Sequence, residues 1–202
     1  MSINALKMNS ATSSNELYRF TLEMMQEALR TLSSVQGVDN VATKRCLDMQ
    51  EDIYTWLLQD NIFGEKTGWC FQEFHRCNAL SVGLLTFTKN DRLPAHDHPG
   101  STGLLLVLDG ELSIQTFSID EQDGGRMVNV RNNNEFSLTA GEHSIFTPDE
   151  NNIHTLISQS ESCRVLDILI TPYKEEERTW FMPMSVSATD SGSYKAIKLN
   201  KK

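Results

Sequence analysis

The sequence predicts a mainly β protein, built as a closed barrel or jelly roll behind two amino-terminal helices. Before residue 64, apolar residues recur at three- and four-residue intervals, which is typical of amphipathic helices. Between residues 68 and 172 the apolar runs become short and are separated by Asn, Gly, Pro or Asp. Eight to ten short strands without a long helix among them favour a closed sheet.

The domain organisation follows from the same change of pattern. With 202 residues, the chain is long enough for one domain with a helical appendage. We expect a loose segment at residues 1–13, a helical region at 14–64 that packs on the barrel, and a barrel with a polar carboxy-terminal tail at 65–202. Within the tail, residues 194–199 predict a short strand.

Composition excludes several classes of function. A net charge of −9 without a basic patch argues against nucleic acid as a partner. No apolar run is long enough to span a bilayer, and the first residues lack the pattern of a secretory signal. The four cysteines show no Cys-x-x-Cys spacing and are expected to be reduced. We therefore expect a cytoplasmic protein that acts on neither membranes nor nucleic acids.

Two helices are predicted in the amino-terminal region. The first has a regular apolar face and ends at Gly37, and its face comprises Leu17, Phe20, Met24, Ala28 and Leu32. The second is predicted over residues 39–59, and the Asp60-Asn61 pair marks its end. We expect both helices to pack on the sheet without a chemical role.

The strands are predicted from the alternation of apolar with small or polar residues and from the turn residues between the runs. Leu80, Val82 and Leu84 alternate with small or polar residues, and residues 104–108 form a short apolar strand. The Asp109-Gly110 pair that follows predicts a hairpin. Further short strands are predicted at residues 135–138, 144–147, 153–157 and 165–170.

The spacing of the histidines gives the first indication of a metal site. His96 and His98 lie two residues apart, so on a strand both side chains project to the same side while Asp97 projects to the other. Two imidazoles on one face pack poorly but form a good metal clamp. His154 alternates with Ile153 and Thr155 in a later strand, so it also faces inward if those two residues face outward. The other histidines, His75 and His143, are expected to be ordinary surface or core residues.

Residues 94–110, taken with His154, resemble the two motifs of the cupin superfamily. Most metal-binding cupins carry a glutamate ligand four or five residues after the second histidine, but Thr102 and Gly103 stand at those positions here. An all-histidine iron site is the feature of thiol dioxygenases within the cupins. The resemblance therefore implies a cupin barrel, also called a double-stranded β-helix or jelly roll, without a carboxylate ligand.

Two longer motifs narrow the resemblance from the cupin superfamily to one family within it. The His-Asp-His-Pro-Gly run at residues 96–100 and the run from Asp167 to Tyr173 are similar to motifs of the cysteamine dioxygenase and plant cysteine oxidase family. The similarity covers residues 68–181. It implies that Fe(II) is bound by three histidines, namely His96, His98 and His154. It also implies that Asp167 and Tyr173 lie near the substrate.

The sequence around Asp167 indicates a specific role for this residue, independently of the resemblance. It interrupts the apolar run of residues 165–170, and an unpaired carboxylate is costly to bury. Its side chain is therefore either a structural hydrogen-bond acceptor or an acceptor that orients a histidine ligand or a substrate amine.

Two features of related enzymes are missing from the sequence. Some family members have a cysteine shortly after the Pro-Tyr pair, whereas residues 178–181 contain none. Mammalian cysteine dioxygenases have a crosslinking cysteine where this chain has Gly103. We therefore expect no thioether crosslink at either usual position.

The function expected from this resemblance is that of a non-haem Fe(II) thiol dioxygenase. Such an enzyme would use O2 to convert a small aminothiol, or the thiol of an amino-terminal cysteine in a peptide, to a sulfinic acid. Two alternatives stay open: a non-catalytic cupin that binds a metal or small ligand as a sensor, and a metal-dependent cupin oxygenase with a non-thiol substrate. The sequence leaves the identity of the thiol, the metal and the oligomeric state undecided.

Overall fold

A computed structural model describes residues 14–58, 68–122, 125–170, 178–184 and 193–200. The expected loose segment at residues 1–13 and Tyr173 lie outside these residues. Three helices come first, followed by strands that account for most of the remaining chain. The helices are α1 (Ser14–Ser33), α2 (Asn40–Asp48) and α3 (Gln50–Leu57).

Eleven strands are present in the described part of the chain. They are β1 (Cys70–Cys77), β2 (Leu80–Thr88), β3 (Arg92–His96), β4 (Thr102–Asp109), β5 (Glu111–Gln122), β6 (Met127–Thr139), β7 (His143–Phe146), β8 (Ile153–Ser158), β9 (Ser162–Ile170), β10 (Thr179–Pro183) and β11 (Ser193–Asn200).

The strands form two sheets whose neighbours all pair antiparallel. One is a five-stranded sheet in the order β1-β2-β9-β4-β7. The other closes on itself in the order β10-β11-β6-β5-β8-β3. The predictions of a mainly β fold and of a closed jelly-roll barrel are confirmed. Strand β11 also confirms the short strand predicted near the carboxy terminus.

Alternating side chains give the five-stranded sheet two buried faces. On β9, Leu166 and Ile168 pack beneath the helices in a core that also contains Leu29 of α1. Val165 and Leu169 face the other way, into a second core with Leu156 of the closed sheet. We call these the helix-side core and the barrel core. Because both are apolar, each polar side chain in the barrel core requires its own explanation.

The second predicted helix is two helices. The chain leaves helical geometry at Met49, whose φ is −94° and ψ is 2°, and α3 begins at the next residue. Asp39 caps α2 by accepting hydrogen bonds from the backbone N–H groups of Val41 and Ala42. Glu51 and Asp52 lie in the first turn of α3, where carboxylates favour a helix start. These two acids are the sequence signal for the break.

The hairpin predicted at Asp109-Gly110 is wrong. The strands on either side of Gly110, β4 and β5, belong to different sheets and do not pair with each other. Gly110 has φ of +80°, and a Cβ at this position would overlap the backbone carbonyl of Ser162. The glycine therefore serves a close passage of one strand past another, where the chain crosses between sheets.

The four cysteines form no disulfide, as the spacing predicted. Among the helices that the structure describes, none has the length and apolar character needed to cross a membrane.

Candidate metal centre

Three histidines from two distant stretches of the chain converge inside the barrel. His96 ends β3 and pairs directly with His154 of β8, and His98 follows two residues after His96. Each has only 2% of its surface exposed. One potential ligand nitrogen from each ring lies within 4.8 Å of the other two. Among the described residues, no carboxylate belongs to this cluster.

Backbone carbonyls orient two of the rings. The Nδ1–H of His96 donates to the carbonyl of Pro94 at 2.8 Å, and the Nδ1–H of His154 donates to the carbonyl of Asn151 at 3.1 Å. A neutral imidazole that donates from Nδ1 keeps the lone pair of Nε2 available for a metal. The backbone therefore selects the tautomer that metal binding requires.

An asparagine that the sequence reasoning missed joins the two ligand-bearing segments. The side-chain oxygen of Asn152 accepts a hydrogen bond from the backbone N–H of His98 at 2.6 Å. Its amide group donates back to the carbonyl of His98 and also to that of Pro148. A single side chain thus fixes the position of His98 relative to the turn that precedes His154. Its place two residues before His154 was the only sequence signal.

The environment keeps these rings neutral near neutral pH. Burial is the main cause that lowers the pKa of His154 to about 4. Burial first, and then repulsion from His154 and Arg178, lowers the pKa of His96 well below its ordinary value. The pKa of His98 is lowered in the same way by burial and by the other two histidines. Neutral imidazoles are the form that ligates metals, so the charge state fits a metal site.

An aromatic ring lies directly against two of the candidate ligands. The Phe146 ring centroid is 4.8 Å from that of His98 and 4.8 Å from that of His154. The ring lies over Gly103, where a Cβ would overlap it. Gly103 therefore makes room for the ring that packs beside the histidines. The same overlap explains why a crosslinking cysteine has no space at this position.

Gly103→Ala is expected to lower the free energy of unfolding by about 1–3 kcal/mol, because the added methyl group must displace the Phe146 ring. Since that ring contacts His98 and His154, the variant should also bind metal more weakly. Urea denaturation and a metal titration measure the two effects. Gly125→Ala is the matched control, since a Cβ there meets nothing within 4 Å. A Gly103→Ala variant as stable as wild type would contradict this packing.

Asp167 lies on the face of the five-stranded sheet that carries the barrel core. It alternates with residues of the barrel core and pairs with Gly83 on one side and Leu105 on the other. The side chain is buried, and its Oδ1 has no hydrogen-bond partner among the described residues. Burial raises the pKa of this carboxyl to about 6 despite attraction from Arg178 and Arg76. Asp167 therefore presents a buried carboxylate oxygen without a partner among the described residues.

Strand β10, which the sequence did not predict, adds an aromatic and a cationic group. Trp180 pairs with His96, and their ring centroids are 5.0 Å apart. The guanidinium carbon of Arg178 lies 5.6 Å from the centroid of the Trp180 ring. Asp97 anchors this strand, because its Oδ1 accepts a hydrogen bond from the backbone N–H of Thr179 at 2.6 Å.

These features define a class of protein. A jelly-roll barrel that encloses three neutral imidazoles, without a carboxylate among the described members of the cluster, is a cupin-type barrel with a candidate three-histidine metal centre. The chain belongs to the PCO_ADO family, whose family model matches residues 65–200. This match includes all three histidines and Asp167.

Individual proteins show more limited similarity. The chain is 33% identical over 122 residues to the probable 2-aminoethanethiol dioxygenase of Dictyostelium discoideum, covering 54% of each chain. It is 24% identical over 112 residues to plant cysteine oxidase 1 of Arabidopsis thaliana, covering 53% of this chain and 38% of that protein. The chain thus spans about half the length, or less, of these curated relatives.

Solved structures of cupins are also similar in part. A cupin superfamily protein from Desulfitobacterium hafniense covers 55% of this chain and 84% of its own, with 14% identity and a TM-score of 0.40.

Proposed function

We propose that the protein is a non-haem Fe(II)-dependent thiol dioxygenase that uses O2 to convert a small aminothiol, or an amino-terminal cysteine, to a sulfinic acid. The observation that carries this proposal is the cluster of three buried, neutral imidazoles without a carboxylate among its described members. Membership of the PCO_ADO family, and relatives named as a 2-aminoethanethiol dioxygenase and a plant cysteine oxidase, support it.

His96, His98 and His154 would hold the metal. Bound iron would supply open coordination positions for a thiolate and O2, and the redox chemistry that adds both oxygen atoms to sulfur. The three rings contribute no negative charge, so they do not offset the positive charge of a bound cation. A neutral ligand set therefore favours the anionic thiolate over the neutral thiol as the incoming group.

Asp167 is proposed to hold the ammonium group of the substrate. Its buried carboxylate has an oxygen without a partner among the described residues, which an ammonium would satisfy. A pKa of about 6 leaves the group mostly ionised at neutral pH, so it attracts a cation. Tyr173 is proposed as a second contact, because the resemblance to the family implies that it lies near the substrate.

Apolar groups around the site would exclude water from the reacting atoms. Phe146 packs against His98 and His154, and Trp180 packs against His96. Leu105 is buried beside Asp167 in the paired strand. A low-polarity surrounding strengthens the attraction between the Asp167 carboxylate and an ammonium, and it protects a reactive sulfur from side reactions.

The proposal places the chemistry in the barrel region, residues 65–202, and gives the helical region, residues 14–64, a packing role. A cytoplasmic location, which keeps thiol substrates reduced, belongs to the same proposal.

The proposal is tested by loading the purified protein with Fe(II) under nitrogen and then adding air with cysteine, cysteamine or a peptide that begins with cysteine. We expect oxygen consumption that depends on the thiol, and mass spectrometry should show a product heavier by two oxygen atoms. A peptide that begins with serine is the matched control, because it retains the amine but lacks the sulfur. If none of the thiols stimulates oxygen uptake, the proposal is wrong.

A further inference from the structure

His96, His154 and Thr116 form one row across three neighbouring strands, β3, β8 and β5. Strand β8 lies between β3 and β5, so His154 has His96 directly opposite on one side and Thr116 directly opposite on the other. Directly opposite residues of antiparallel strands share a face, with Cβ atoms about 5 Å apart. Thr116 therefore stands beside His154 on the face that carries the candidate metal ligands.

The hydroxyl group of Thr116 is buried without a partner among the described residues. Thr116 is 1% exposed, and its Oγ1 forms no hydrogen bond within the described part of the protein. The next inward residue of β5, Ile114, belongs to the apolar barrel core. A buried hydroxyl that lacks a partner destabilises a fold, whereas valine has nearly the same shape without that cost. The hydroxyl at this position therefore points to a hydrogen bond with a group that binds in the site.

We infer that the hydroxyl of Thr116 donates a hydrogen bond to an anionic ligand of the metal. The acceptor is the ligand atom that coordinates the metal. This inference rests on the proposed metal site and extends the proposed function to a specific contact. Three imidazoles leave about three coordination positions open. Thr116 is paired directly with one of the three histidines, His154. A thiolate sulfur, or the nitrogen of a bound azide, can accept from a threonine hydroxyl.

The experiment uses protein loaded with Co(II) under nitrogen, so that binding is observed through the cobalt absorption spectrum without turnover. Azide and cysteamine are titrated separately into wild type, Thr116→Val and Thr116→Ser. We expect Thr116→Val to weaken the binding of both ligands about tenfold, as the loss of one hydrogen bond to a charged group predicts. Thr116→Ser keeps the hydroxyl and should bind both within about threefold of wild type.

Unfolding of the metal-free proteins gives a second readout that does not depend on ligand binding. Thr116→Val should raise the midpoint of thermal unfolding by roughly 2–4 °C, because it removes a buried hydroxyl that has no partner among the described residues. A lower midpoint would show that the hydroxyl is already satisfied in the metal-free fold, and this would overturn the inference.

The remaining outcomes separate this inference from the proposed function. Equal ligand affinity in wild type and Thr116→Val overturns the inference, and so does an equal loss in Thr116→Val and Thr116→Ser, which would implicate packing. If azide binding depends on the hydroxyl but cysteamine does not bind, the Thr116 contact stands and cysteamine is not the substrate. A wild-type protein that binds no cobalt overturns both proposals.

Discussion

Replacing His154 by alanine is expected to abolish metal binding and to lower thiol-dependent oxygen consumption by more than about 100-fold. His154 is 2% exposed, and its ring lies 4.8 Å from that of His96 and 5.2 Å from that of His98. Removing it leaves two neutral ligands, which hold a divalent ion far more weakly than three. Changes to groups that only support a metal ligand already cost 10–100-fold, so the loss of a ligand itself should cost more.

Metal content per chain and initial rates of oxygen uptake check this prediction. His143→Ala is the matched control, because His143 lies on β7 outside the cluster and is only partly buried. It should retain both metal and activity. Far-UV circular dichroism distinguishes loss of the site from loss of the fold. A folded His154→Ala protein that still binds one iron per chain would contradict the assignment of His154 as a ligand.

Asp167→Asn should make the enzyme much less active and the protein more stable. The amide keeps the shape of the side chain but removes the charge that is proposed to hold the substrate ammonium. We expect kcat/KM for cysteamine to fall by about 10–100-fold, the cost of losing a charge-assisted hydrogen bond. A pKa raised from 3.8 to about 6 corresponds to a stability cost of up to about 3 kcal/mol at neutral pH, which the uncharged amide avoids.

The sign of the pH dependence follows from the same carboxyl group. Between about pH 4 and pH 6, the folded protein binds more protons at Asp167 than the unfolded chain does. The contribution of this group to stability therefore falls as the pH rises through that range and stays low above it. The stability difference between Asp167→Asn and wild type should grow from pH 4 to pH 7. Urea denaturation at several pH values measures this trend.

A surface carboxylate supplies the control for both effects. Glu161 pairs with Lys89, and its side chain is 84% exposed, so Glu161→Gln should change neither activity nor the pH trend of stability. If Asp167→Asn is as active as wild type, Asp167 does not hold the substrate. If its stability advantage is independent of pH, the carboxyl does not titrate near pH 6 in the folded protein.

The strands that position the histidines could be predicted from the sequence because turn residues bound short runs of strand-forming residues. The two-residue spacing of His96 and His98 indicated a shared face. Burial along β8 does not alternate strictly, because Thr155 is buried as well as His154 and Leu156. The partner strands could not be read in this way, since antiparallel pairing depends on distant residues.

Other elements gave a weak or misleading local signal. Strand β6 extends over Met127–Thr139, but residues 131–135 are exposed and polar, so only its last residues had a strand pattern. Asp109-Gly110 has the composition of a hairpin turn, yet the glycine serves a crossing between sheets. Asn152 and Thr116 are ordinary polar residues in sequence, and only the fold brings them beside the candidate ligands.

Three imidazoles from two parts of the chain are proposed to bind one iron ion through their Nε2 atoms. The most direct test is an anomalous difference map, measured at the iron edge, from crystals grown with Fe(II) under nitrogen. The predicted result is one strong peak at bonding distance from Nε2 of His96, His98 and His154, without a protein carboxylate as a ligand. A peak elsewhere, or one bound to only two of these rings, would contradict the assignment of a three-histidine iron site.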